Sequence, residues 1–153
     1  MKEIDIKNSN IIRGHLTELL DDVYAVDMCV TLFEISQLFD DVYDEGSLNK
    51  AHTLQLIQKS LIELPSNLFY RKFFNELQPM IQSYILQWMS ANKMEEQNLA
   101  CEKSYMLRAF LFQIYQFCAM LLHGYDYAID NSLVFQELYG EKFTEYLAEF
   151  KNV

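Results

Sequence analysis

Turn-forming residues are scarce in this chain: four Gly and two Pro among 153 residues. A polypeptide that can bend in so few places must run in long regular segments. Strand-like alternation is hard to find, and apolar residues return with the 3.6-residue period of a helix. Ile12, Leu16, Leu19, Val23, Val26, Val30 and Phe33 form one stripe, and Met28, Leu32, Ile35, Phe39 and Val42 form a second. A segment apolar on two faces belongs in the middle of a fold. The pattern predicts one long central helix over 10–44, capped by Ser9 or Asn10 and kinked or split, if anywhere, near Val30-Thr31.

Gly46 stops that helix, and Ser47 or Asn49 can cap the next over 50–63. Leu64-Pro65-Ser66 reads as a break. Helices are then expected over 67–77, over 79–93 with Pro79 in its first turn, over 95–123 up to Gly124, and over 132–139 and 141–151 around Gly140. The expected fold is all-α, a compact bundle of six or seven helices in a single domain over 1–153.

The formal net charge of −10 excludes a broad basic footprint for nucleic acid and disfavours anionic membranes. It favours cations and basic protein surfaces. The longest apolar stretch, 109–122, is interrupted by Gln113 and Gln116 and is too short for a membrane span. The charged start Met1-Lys2-Glu3-Ile4-Asp5 does not read as a signal peptide. Cys29, Cys101 and Cys118 have no paired spacing and read as reduced thiols of a cytoplasmic protein.

Within this charge one cluster stands out, Asp40-Asp41-Val42-Tyr43-Asp44-Glu45 before Gly46. The C-terminal end of a helix already carries about −0.5 of a charge, and each anion there costs on the order of 0.3–1 kcal/mol. Four carboxylates at such an end suggest a bound cation or a basic partner. Asp40, Asp41 and Asp44 fall at roughly 0°, 100° and 40° around the axis and share one flank. Mg²⁺ takes oxygen ligands, one or two carboxylates plus phosphate oxygens. A near copy, Asp21-Asp22-Val23-Tyr24, lies 19 residues earlier (40 − 21). On a straight helix it would sit roughly 28 Å away, so it reads as a solvated helix face.

A phosphate would also need donors. Arg108 stands in an apolar run and needs a carboxylate or phosphate if buried. Lys103 precedes it by five residues. Trp88, Asn92 and Glu95 recur at i, i+4 and i+7, one helix face if the helix extends that far. Glu95 could add a metal oxygen or pair with Arg108. His15, His52 and His123 show no zinc-ligand spacing. No catalytic residue can be assigned from spacing.

The Asp-Asp-x-x-Asp spacing resembles the first aspartate-rich motif of prenyl-diphosphate enzymes, which holds Mg²⁺ against a diphosphate. The likeness covers a few residues, and no clear second aspartate-rich motif follows. Glu18-x-x-Asp21 and Asp41-x-x-Asp44 loosely resemble the acidic pairs of all-α nucleotide pyrophosphatases. More of the chain resembles a group of small phage-encoded helical proteins. The segments, spread over residues 39–125, are Phe39-Asp40-Asp41-x-x-Asp44, Glu63-Leu64-Pro65-x-Asn67-x-Phe69-Tyr70, Leu77-x-Pro79, Trp88-x-x-Ala91-Asn92-x-x-Glu95, Tyr105-x-Leu107-Arg108 and Gly124-Tyr125. That resemblance implies a viral origin and action in a bacterial cytosol.

Three expectations follow. In the first, Asp40, Asp41 and Asp44, assisted by Glu95, hold Mg²⁺, while Arg108, Lys103 and Asn92 bind a phosphorylated metabolite. The ligand, a nucleotide or a host immune signal, is either sequestered or hydrolysed. In the second, the acidic surface occupies a basic site on a host protein. A homo-oligomeric virion component is a third reading of the long first helix.

Overall fold

The computed structural model describes residues 3–151, with side chains described from residue 8 onward. Every regular element among them is helical. The helices gather into two compact units, Met1–Phe74 and Asn75–Val153.

The first unit opens with α1 (Glu3–Leu20) and α2 (Val23–Glu45). The expected long first helix is thus two helices, and its break lies at Asp21-Asp22 rather than near Val30. Asp21 takes φ 49°, in the left-handed region, where short polar side chains are among the few that settle. The Asp22 side chain then accepts the Ala25 N–H at 2.8 Å and caps α2. The first Asp-Asp-Val-Tyr copy is therefore a helix-breaking corner, solvent-exposed at Asp21, Val23 and Tyr24, rather than one face of a continuous helix. The two helices fold back as a hairpin, shown by Arg13 Nη1 lying 2.5 Å from Asp27 Oδ1 on the opposite strand of the hairpin. Leu16, Leu20, Ala25, Met28, Cys29 and Leu38 form its core. Ser9, expected to cap, lies inside α1 and is buried.

Asn49 caps the next helix, accepting the His52 N–H at 2.8 Å. This helix, α3, runs unbroken over 50–66: Lys50–Gln58, a π turn Lys59–Glu63, and Leu64–Ser66. The break expected at Leu64-Pro65-Ser66 comes one residue later. There Asn67 accepts the Tyr70 N–H at 2.9 Å and starts α4 (Leu68–Lys72). The Asn67 amide also donates to the Tyr24 carbonyl at 2.9 Å, tying α4 to the start of α2.

The second unit contains α5 (Phe74–Glu96), α6 (Glu102–Arg108), α7 (Phe110–His123), α8 (Tyr125–Asp130), α9 (Ser132–Glu137) and α10 (Phe143–Lys151). Pro79 lies inside α5, five residues past its start, rather than opening a helix. The expected helix over 95–123 is three pieces. Asn98 takes φ 58°. Around it the Leu99 N–H reaches Met94 O at 2.8 Å and the Asn98 N–H reaches Glu95 O at 3.0 Å. That is the Schellman pattern, with Asn in the place glycine usually holds. Gly124 ends α7 as expected, its N–H bonded to Met120 O at 2.9 Å. The core of this unit is α7, with Ile114, Tyr115, Cys118 and Ala119 fully buried, joined by Phe135 and Tyr146.

Ten helices among the described residues replace the six or seven expected: the first helix breaks at Asp21, the one expected over 95–123 divides again at Ala109, and α8 forms where no helix was expected. No single helix among them is long and apolar enough to cross a membrane.

Candidate functional site

The acid cluster occupies the last two turns of α2. Gly46, at φ 74°, closes the helix with its N–H on Val42 O at 2.8 Å. The last turn holds no basic residue to answer the helix dipole. Asp40 and Asp41 are half-buried, while Asp44 and Glu45 are exposed. Beside them Phe39 and Tyr43 are 47% and 45% exposed, although the apolar stripe placed Phe39 in the core. Phe39 and Tyr43 are four residues apart, as are Asp40 and Asp44. An aromatic column and an acidic column therefore run side by side. Among the described residues, no group of three or more His, Cys, Asp or Glu is placed to hold a metal ion.

A second polar cluster lies in the other unit and is built from three helices. The turn at Asn98 reverses the chain, so Glu95 at the end of α5 meets Arg108 at the end of α6. On one continuous helix these residues would stand roughly 20 Å apart. Arg108 Nε donates to Glu95 Oε1 at 2.5 Å, and its Nη2 donates to Glu95 Oε2 and Asn92 Oδ1. This is the two-pronged geometry guanidinium and carboxylate favour. Asn92, Glu95 and Arg108, singled out from the sequence, are thus brought together. Lys103 is exposed on α6, about 140° around that helix from Arg108.

Tyr146 of α10 completes the cluster. Its hydroxyl lies 2.7 Å from Glu95 Oε1 and 2.5 Å from Ser104 Oγ. The Ser104 hydroxyl gives its own proton to the Cys101 carbonyl at 2.9 Å, so the phenol is the donor facing both the carboxylate and the serine oxygen. Ser104 Oγ accepts the Cys101 N–H at 2.9 Å, capping α6. Burial pushes the Tyr146 hydroxyl up to about 12; the Ser104 bond opposes that rise and Glu95 adds to it. Tyr139 is raised further, by burial first and then by its bond to Glu141 Oε2 at 2.8 Å. Tyr105 donates to the Glu141 carbonyl at 2.6 Å and stacks against Tyr139, Phe143 and Tyr146.

Both oxygens of Glu95 are engaged, so a metal there would have to displace Arg108 or Tyr146. One donor in the cluster is left over. Asn92 is 2% exposed, and with its Oδ1 on Arg108 its Nδ2 has no partner. Spacing did not disclose Ser104, Tyr139, Glu141 or Tyr146. The readable signal was Gln97-Asn98, a polar pair able to end a helix. No family model, curated protein or solved structure matches the chain.

Proposed function

We propose that this is an acidic interaction protein that occupies and blocks a basic site on a bacterial partner protein. The observation that carries the reading is the end of α2, where exposed Phe39 and Tyr43 stand beside Asp44 and Glu45. Interfaces draw most of their affinity from a few aromatic anchors, with charges setting orientation and association rate. The net charge of −10 supplies long-range attraction to a basic surface. The resemblance to small phage-encoded proteins supports a bacterial setting. The test is affinity capture from bacterial lysate at low and high salt, with wild type and a Phe39→Ala/Tyr43→Ala/Asp44→Lys variant. A basic partner retained by wild type at low salt and lost by the variant is expected. A partner held equally by both proteins, or equally at both salt levels, would refute the proposal.

A second reading is favoured by the unpartnered Asn92 Nδ2 beside Arg108. A buried donor next to a guanidinium suits an anionic oxygen, as in a phosphorylated metabolite. Isothermal titration with a nucleotide panel tests it. Nucleotide heat that survives Asn92→Ala would count against it.

A further inference from the structure

Between Arg108 and Lys142 the chain holds no lysine or arginine. Helices α8 and α9 lie in this stretch and pack on α7. Their inner side is set by Ala128 and Phe135, seven residues apart and buried. Gln116 Nε2 of α7 donates to the Ala128 carbonyl at 3.1 Å, and His123 stacks on Tyr127 with ring centres 4.7 Å apart. Asn131 separates the two helices, yet the four-residue step survives it. The Asn131 N–H reaches the Tyr127 carbonyl and the Phe135 N–H reaches the Asn131 carbonyl, each at 3.2 Å. Side chains four apart therefore stay stacked from one helix to the next. Tyr125, Ile129 and Leu133 form such a row on the outer side, between 61% and 72% exposed. Asp126 and Asp130 each follow a member of the row by one residue, about 100° around the axis, and Glu137 lies within about 20° of Asp130 two turns on. All three acids are exposed.

This acidic column indicates what covers the apolar row. None of the three acids forms an ion pair among the described residues. Helix α7 beneath them contributes no lysine or arginine, and its one titratable group, His123, stands at its end. A second copy of the same face would set acids against acids, and an anionic membrane would be repelled. The complementary surface is an apolar stripe flanked by Lys or Arg. A helix supplies it, because helix-on-helix packing seats side chains of three- and four-residue spacing between those of the row.

We propose that the outer face of α8 and α9 docks a basic amphipathic helix of a partner protein. The contact uses none of the residues at the end of α2. The probe is a fluorescein-labelled leucine–lysine peptide of about 18 residues, long enough to be helical, with its leucines on one stripe. Fluorescence anisotropy with the full chain should show saturable binding that weakens with salt. Ile129→Gln with Leu133→Gln should weaken it by about tenfold or more. Asp126→Asn, Asp130→Asn and Glu137→Gln together should do the same at low salt and remove most of the salt dependence. Helical circular dichroism should be unchanged in both variants, since all five side chains are exposed. Amide shifts of the wild-type chain on adding peptide should centre on residues 124–138. The Phe39→Ala/Tyr43→Ala/Asp44→Lys variant should bind the peptide like wild type, so a failed reading of the α2 end leaves this one standing. No binding, equal binding of a peptide with its leucines scrambled off the stripe, or indifference to both sets of substitutions would overturn the proposal. So would loss of binding in the α2 variant alone, which would seat the peptide at the end of α2.

Discussion

Asp44 and Glu95 are both acids in the last turn of a helix, and the two units treat them oppositely. Asp44 closes α2 in the open, with no basic residue in its turn. Glu95 closes α5 under cover, its side chain 8% exposed and bonded to Arg108 and Tyr146. One is charge presented to the surroundings; the other is charge consumed by the fold. Position relative to the helix dipole is the same, so burial and partners decide the role. In an acidic chain, a run of carboxylates says little until each is assigned to one class or the other.

Breaking the second unit's pair should give the largest effect. Removing one partner of a buried pair leaves the other charged and unanswered, at a cost of about 3–5 kcal/mol. Arg108 is 20% exposed, so Arg108→Ala is expected near the lower end of that range. Urea unfolding of the full chain measures it. Adding Glu95→Leu to Arg108→Ala should recover part of the loss, because the stranded charge is gone. If the double variant is no better than the single, Arg108 acts through packing and not through its charge.

Tyr146→Phe should cost about 1–3 kcal/mol at neutral pH, since Glu95 and Ser104 both lose a buried partner. Its pH dependence carries a sign. The hydroxyl titrates near 12 in the fold, against about 10 in an unfolded chain. A group raised in this way stabilises fully below the unfolded value and loses its contribution as pH climbs towards the folded one. The stability gap between wild type and Tyr146→Phe should therefore be constant up to about pH 10 and shrink between 10 and 12. A gap that stays constant across that window would place Tyr146 outside the hydrogen-bonded network.

Helical class was legible because the 3.6-residue repeat runs through the chain, and Gly46 and Gly124 stop helices where their sequence positions say they should. The breaks at Asp21 and Asn98 were not. Asp and Asn reach the left-handed region through their short polar side chains, a weaker signal than the missing side chain of glycine. That single difference decided the reading of the second cluster. The sequence offers Arg108 as a partner for Glu95, but the helix expected over 95–123 would hold the two roughly 20 Å apart; the break at Asn98 is what lets them pair. Asn92 and Glu95 were readable as one face because α5 continues to Glu96. Tyr146 lies 51 residues from Glu95, and a contact of that separation leaves no local trace. The exposure of Phe39 was hidden for the opposite reason: its spacing continues a core stripe that runs out before the helix ends.

The smallest effect belongs to the first unit, and its sign is reversed. Asp44→Asn removes an anion from the negative end of α2. It should stabilise the chain by about 0.3–1 kcal/mol at low ionic strength and by less as salt screens the dipole. Thermal unfolding of wild type and variant at low and high salt would read it. The same substitution should weaken capture of a basic partner, because the charge is then missing from the surface that recognises it. Stability and binding would move in opposite directions at Asp44 alone, whereas Arg108→Ala lowers stability outright. If Asp44→Asn instead destabilises, this carboxylate has a bond in the fold, the contrast with Glu95 disappears, and the end of α2 is not a presented surface.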